Sequence, residues 1–340
     1  MWLLLVRDLR FRRSRIILTS LGTGLVLTMV LIVTGISGGF DAAARDTVTT
    51  LHQGPWLLPE GVTGPFTSAS AFPVSELGDL PPDVEATPTA ITRSVALDEN
   101  AVSQDVVLIG LPVGTIVGGQ MVSELLITSE EAGFEGGSEI TVGGRLANVA
   151  DGVPGLTLFA GTPIVIAPLP FVQAAVFEGA DVATAAFLSG RPVPAPRGFA
   201  VLSRDAVIAD SLRSVSDAND TIAIVRVLLL LVAAILIGAV VYVSALERRR
   251  EFALLKAVGA RGRRLMVGVL TQALVIATIG SFIAVVLEVL LSGAFPMAVS
   301  VDGADYLTLA VITVISAAAA SLVGLRHILG VRATDALDDR

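Results

Sequence analysis

Glu247-Arg-Arg-Arg-Glu-Phe-Ala-Leu-Leu-Lys-Ala-Val-Gly-Ala-Arg-Gly-Arg-Arg264 is a basic, helix-prone segment set between two long charge-free runs. Before it lies Val227–Leu246 and after it Leu265–Leu287; Ile16–Phe40 and Tyr306–Leu325 bring the charge-free runs to four. Each reaches the ~18–20 residues that a helix needs to cross a hydrocarbon core of about 30 Å. The chain of 340 residues is 53% apolar and only 16% charged, against roughly 25% charged in an ordinary soluble domain. Its mean hydropathy is +0.79. The expectation is a membrane protein with four transmembrane α-helices.

Basic residues orient the spans. Arg7, Arg10, Arg12, Arg13 and Arg15 precede the first run, seven basic residues fill 247–264, and Arg326, Arg332 and Arg340 follow the fourth run. If the spans alternate, all three segments lie on one side, and the positive-inside rule makes that side the cytoplasm. The expected order is a basic amphipathic lead-in at 1–15, a first span at 16–40 and an extracytoplasmic domain at 41–226. A second span at 227–246, the cytoplasmic loop at 247–264 and a third span at 265–287 follow. An outer loop at 288–305, a fourth span at 306–325 and a cytoplasmic tail at 326–340 complete the chain. The first run exceeds the roughly 7–15 residues of a signal-peptide core, so it is expected to be a retained helix. The expected location is the cytoplasmic membrane, multi-pass, with both termini inside.

Between the first and second runs, residues 41–225 carry 22 Asp and Glu against seven Arg, a net charge of −15. So acidic a segment argues against nucleic acid as a partner. With no cysteine, the segment is expected to fold without disulfides, and thiol metal or redox sites are excluded. Prolines through 54–88 read as loops between short strands. Asp105–Ile109, Glu139–Val142 and Ile164–Ile166 read as buried strands. Ser123–Ala132 is expected to be a strand entering a helix, with Ser129 as its cap, and Ser203–Arg226 a helix running unbroken into the second span. The domain inserted between the first and second helices is therefore expected to be mixed α+β.

In the loop itself, Phe252, Leu255 and Val258 recur three apart, Leu254 widens the apolar face, and Gly259 stands where a helix C-cap belongs. Glu247 is placed to pair with Arg250 at i+3, and Arg248, Arg249 and Lys256 make a polar rim. Physics alone leaves two readings level: a docking helix for another protein, or a basic helix resting on anionic lipid. In the first run, Gly35 and Gly39 form a small-xxx-small pair that would let two helices approach closely.

The run from Glu247 to Ala260 resembles the loop of the FtsX-like and MacB-like permeases of ABC transporters, and its Phe-Ala-Leu-Leu-Lys-Ala-Val-Gly-Ala form is closest to the DevC- and HrtB-like branch. Val107-Leu-Ile-Gly110 and Ser138-Glu-Ile-Thr-Val-Gly-Gly144 resemble that family's recurrent strand segments. The tail Val331-Arg-Ala-Thr-Asp-Ala-Leu337 is similar to its closing motif, with Thr334 in place of the usual proline; Gln272 stands where many members have glutamate. The resemblance implies that Glu247, Arg250, Glu251, Phe252, Leu254, Leu255, Val258 and Gly259 belong to a coupling helix that docks on a separate ABC-type ATPase subunit. It also implies a second permease copy, as a homodimer or a related heterodimer, with Gly35 and Gly39 in the packing. No Gly-x-x-x-x-Gly-Lys-Ser/Thr is present and Lys256, the only lysine, lacks that glycine context, so ATP and Mg are expected on the partner and no cofactor in this chain. The implied function is export of an amphipathic or hydrophobic substrate. The alternative is non-transporting mechanotransmission to an extracytoplasmic enzyme or sensor.

Three further residues carry lesser expectations. Glu288 closes the third run and is expected to mark the outer interface, with a substrate role as the competing reading. His52, just beyond the first span, is an inert loop histidine or, were haem the cargo, a candidate axial ligand. Tyr242 within the second span requires a hydrogen-bonding or interfacial position. Two histidines, no His-Glu-x-x-His and no Gly-x-Ser-x-Gly argue against a hydrolase.

Overall fold

Charge-free sequence becomes helix because a backbone in lipid must satisfy its polar groups within the segment. The computed structural model describes residues 13–81, 84–150, 152–190, 195–247, 262–295 and 299–329. Among them the α-helices are α1 (Arg13–Leu51), α2 (Leu169–Val176), α3 (Arg204–Arg213), α4 (Ser216–Glu247), α5 (Gly262–Leu291) and α6 (Gly303–Leu329). Three stretches of these residues are long and apolar enough to cross a membrane: Ile16–Leu51, Ser216–Val243 and Leu270–Ala294. The fourth expected span lies in α6, where the apolar stretch with described side chains, Gly303–Ala319, is shorter. The described residues therefore supply three spans by this measure, where the sequence led us to expect four.

The chain divides into two compact units, one made of 39–218 and the other of the described parts of 1–38 and 219–340. Two boundaries differ from expectation. α1 does not stop near Phe40 but continues to Leu51, because Ala44, Val48 and Leu51 recur on one helical face and are buried in the core of the 39–218 unit. The helix expected over Ser203–Arg226 is interrupted between α3 and α4. Ser211, Ser214 and Ser216 each turn a hydroxyl back onto the carbonyl three residues earlier, which competes with the helical ladder without any Gly or Pro.

The 39–218 unit is built on a mixed sheet of ten strands. They are β1 (Trp56–Pro59), β2 (Val84–Leu97), β3 (Ser103–Leu111), β4 (Ile127–Thr128), β5 (Glu139–Val142), β6 (Arg145–Asn148), β7 (Thr157–Leu158), β8 (Thr162–Pro168), β9 (Ala185–Gly190) and β10 (Phe199–Leu202). Their order is β7-β8-β3-β2-β9-β1-β10, with β4 on β8 and the β5–β6 hairpin on β2. β8 and β3 pair in parallel, Ile164 against Val107, and β2 pairs antiparallel with β3, Ile91 against Ile109. β2 begins at Val84, within the stretch expected to hold loops between short strands, and at 14 residues it is a long strand.

Both faces of the sheet centre are covered, which is why β3 and β8 read as unbroken apolar runs. With the period of two, Val107, Ile109, Ile164 and Ile166 face α1 and α3, joined by Trp56 and Phe187. Val106, Leu108, Val165 and Ala167 face the opposite way, onto Leu169 and Val172 of α2 and Ile140 and Val142 of β5. Gly110 explains the end of its strand motif: a Cβ there would come within 3.0 Å of Val172, so the bare backbone admits α2. Gly143 and Gly144, with φ of 57° and 75°, make the two-residue turn of the β5–β6 hairpin, where both central positions require positive φ.

Candidate functional site

Glu247 closes α4 and Gly262 opens α5. Arg250, Glu251, Phe252, Leu254, Leu255, Val258 and Gly259, the remaining coupling-helix positions, lie outside the described residues. The described parts of α4 and α5 thus reach to either side of the basic segment.

Small residues in the helical unit serve contacts within the chain. A Cβ on Gly35 would run into Val299 and into Val301 Cγ2 at 2.7 Å, and the Gly35 carbonyl accepts the Ser300 N–H at 2.8 Å. The 299–301 segment therefore occupies the bare face that the small-xxx-small spacing had suggested for a second copy. Gly39 is buried. About three turns nearer the start of the same helix, Gly24 of α1 meets Ile283 of α5, with a hypothetical Cβ 2.7 Å from its Cγ2. Around these contacts Leu27, Val30, Leu31, Ala233, Ala284 and Leu309 form a buried cluster drawn from α1, α4, α5 and α6. Ser37 donates to the Asn219 side-chain oxygen at 2.9 Å, tying α1 to α4.

Glu288, expected at an interface, is only 4% exposed and accepts a hydrogen bond from the Tyr306 hydroxyl at 2.8 Å. A buried carboxylate needs such a partner. Tyr242 is 37% exposed near the end of α4. His52 sits in the 39–218 unit with Nε2 2.8 Å from the Leu188 carbonyl, which can only accept, so that nitrogen carries the proton. Its ring stacks on Phe187 at 5.0 Å. This is a packing role, and it removes Nε2 as a metal ligand.

One polar node was not legible from sequence. Asp210 on α3 is fully buried; it accepts the Phe66 N–H at 2.9 Å and the Thr67 hydroxyl, and Arg213 Nη1 lies 3.6 Å away. The carboxylate thereby pins the 63–67 loop to the helix across 144 residues of sequence. Ser129 does not cap the short turn Glu130–Ala132 as expected. Its hydroxyl instead donates to the Glu131 carboxylate, which also accepts the Gly155 N–H at 2.9 Å. Partial burial pushes Glu131 up, but the hydrogen bonds from Ser129 and Gly155 outweigh it and hold the carboxyl below its ordinary value.

Comparison with known proteins adds the following. The FtsX-like permease C-terminal family model matches residues 223–332. A relative from Mycobacterium tuberculosis, named as an uncharacterized ABC transporter permease, is 32% identical over 335 residues, covering 96% of each chain. A permease of the same description from Mycobacterium bovis is 29% identical over 335 residues, again covering 96% of each. Among solved structures, the periplasmic region of MacB from Actinobacillus actinomycetemcomitans aligns with a TM-score of 0.36 at 11% identity, covering 47% of this chain and 93% of that one. The extracellular domain of the ABC-type transporter YknZ from Gram-positive bacteria aligns with a TM-score of 0.30 at 11% identity, covering 44% and 98%.

Proposed function

Because the chain belongs to the FtsX-like family of ABC transporter permeases, we propose that it is the permease subunit of an exporter for an amphipathic or hydrophobic substrate. ATP and Mg are bound by a separate ATPase, and its closure pushes on the segment around Phe252. The observation that carries this reading is the placement of the basic amphipathic segment. α4 is described to Glu247 and α5 from Gly262, and in the sequence between them Phe252, Leu255 and Val258 recur three apart. α1 and α4 support the coupling, since each is a continuous helix whose chain runs from the helical unit into 39–218. The proposed topology has four spans with both termini in the cytoplasm, and two permease copies meet two ATPases. Val299 and Val301 already fill the Gly35 face, so pairing uses another surface, such as the exposed Leu21, Leu25 and Met29 of α1.

A mild-detergent pull-down of the full chain tests the proposal. The expected result is a stoichiometric P-loop ATPase that is lost with Phe252→Asp and with Leu255→Asp while membrane insertion is unchanged. Retention of the ATPase and of its stimulation in both variants would overturn the coupling role.

A further inference from the structure

Seven arginines serve the whole acidic 41–225 stretch, and two of them, Arg93 and Arg213, line a single cavity of about 580 Å³ in the 39–218 unit. That volume lies in the range of small-molecule sites, roughly 300–1,000 Å³. Its floor is apolar, from Phe66, Ile91 and Val107, all buried. One wall is the ring of Phe159, edge-on to Phe66 with centroids 6.3 Å apart. Over the face of that ring lies the Arg93 guanidinium, 4.2 Å from the centroid. Among the described residues Arg93 has no ion-pair partner, and no carboxylate lines the cavity. Arg213 stands at the rim, 54% exposed, beside an Asp210 whose oxygens already take the Phe66 N–H and the Thr67 hydroxyl. The local charge is therefore about one positive unit in a unit that is otherwise strongly negative.

Backbone geometry marks the same place. Phe159 and Ala160 hold φ of 48° and 65°, a region that a bulky side chain adopts only at a cost. Such strain is typically retained where a loop must present a group in a fixed position, and here the presented group is the ring that carries Arg93.

The geometry points to a binding site for a small organic monoanion with an aromatic body. Its acid group would lie between Arg93 and Arg213, with its apolar part against Phe66 and Phe159. A planar guanidinium stacked on a ring offers both a fork of donors for an oxyanion and a flat edge for an aromatic. A neutral compound of the same shape would leave Arg93 without its counterion, and a cation would meet it head-on. The site is independent of the transport reading, because binding is measured without nucleotide or ATPase.

Equilibrium dialysis of naphthalene sulfonate against the full chain in phosphatidylcholine nanodiscs, with empty nanodiscs subtracted, is the test. The expected result is saturable binding of one equivalent, with naphthol and naphthylmethylamine each bound at least about tenfold more weakly. Arg93→Gln should weaken the sulfonate about tenfold or more, the usual consequence of losing a charge-assisted hydrogen bond. Phe159→Ala should also weaken it, and Arg93→Lys should fall between, since the charge stays and the planar stack goes. Arg145→Gln on the β5–β6 hairpin should change nothing. Emission from the buried Trp56 reports that each variant is folded; if Arg93→Gln fails that check, Arg93→Lys and Arg213→Gln carry the test. Sulfonate bound no better than naphthol, or binding unchanged in the folded arginine variants, overturns the site.

Discussion

Replacing Asp210 by Ala should be among the most damaging single changes in the 39–218 unit, and the structure says how damaging. The carboxylate is fully buried, accepts the Phe66 N–H at 2.9 Å and the Thr67 hydroxyl, and lies 3.6 Å from Arg213. Each hydrogen bond to a charged group contributes about 1.5–3 kcal/mol, and Ala leaves the Phe66 N–H without an acceptor beneath the aromatic cluster. Arg213 is 54% exposed, so its ion pair contributes at most about 1 kcal/mol. The two hydrogen bonds sum to a loss of about 3–6 kcal/mol for Asp210→Ala, against less than about 1 kcal/mol for Arg213→Gln. Urea unfolding of the full chain in a Trp2→Phe background isolates Trp56, which is fully buried with its ring 5.9 Å from that of Phe66. With a slope of about 2 kcal/mol per molar, the midpoint should fall by about 2 M for Asp210→Ala and by less than about 0.5 M for Arg213→Gln. Equal losses in the two variants would mean that the ion pair, not the buried hydrogen bonding, holds the loop, and the reasoning would be refuted.

Three further outcomes concern other positions. Gly35→Ala should lower the apparent Tm of the detergent-solubilised chain, by about 1–3 kcal/mol of overpacking against Val299 and Val301. Gly22→Ala meets nothing within 4 Å and should be neutral or stabilising by up to about 1 kcal/mol through helix propensity. Glu131 has a folded-state carboxyl held below its ordinary value, so its stabilisation is present above the unfolded-state range and is lost as pH falls through the lower, folded one. Glu131→Gln should flatten the acid limb of a Trp56 unfolding series while leaving the neutral-pH slope alone; an unchanged acid limb would remove the hydrogen-bonding cause given for the shift.

Sequence reveals what repeats locally and hides what depends on distant partners. β3 and β8 are visible as unbroken apolar runs because both sheet faces bury them, and β5 as a short strand closed by Gly143 and Gly144. The helices were visible because lipid-length apolar runs have few other solutions. The extension of α1 to Leu51 was also present in principle, as Ala44, Val48 and Leu51 at helical spacing, but Asp41, Arg45 and Asp46 interleave with them and broke the hydropathy signal. No propensity marked the interruption after Arg213, where three serine hydroxyls bond back to the chain without a Gly or Pro. Asp210, Phe66 and Arg93 come from three separate stretches, and only the sheet and α3 bring them together. In the segment that identifies the family the order of information is reversed. Phe252, Leu255 and Val258 are readable by period from the sequence alone.

Polar groups inside the helical unit bear on what kind of machine it is. Among the described residues there, the buried polar side chains are Ser20, Thr23, Thr28, Thr313 and a single carboxylate, Glu288. Thr28 and Thr313 donate to the carbonyl one turn earlier on their own helices, and Glu288 is held by Tyr306. These three groups close their bonds locally, whereas the Ser20 and Thr23 hydroxyls are buried without a hydrogen-bond partner among the described residues. The remaining contacts are close-packed ones of small residues, Gly24 on Ile283 and Gly35 and Gly38 on the 299–301 segment. Helices packed in this way respond to force by shifting as bodies, because a tight interface has few intermediate arrangements. Under the proposed coupling, force entering at the cytoplasmic segment would travel along α4 and through its packing to α1. The cavity with its apolar floor lies in the 39–218 unit, where the acidic composition makes the Arg93 charge a local exception.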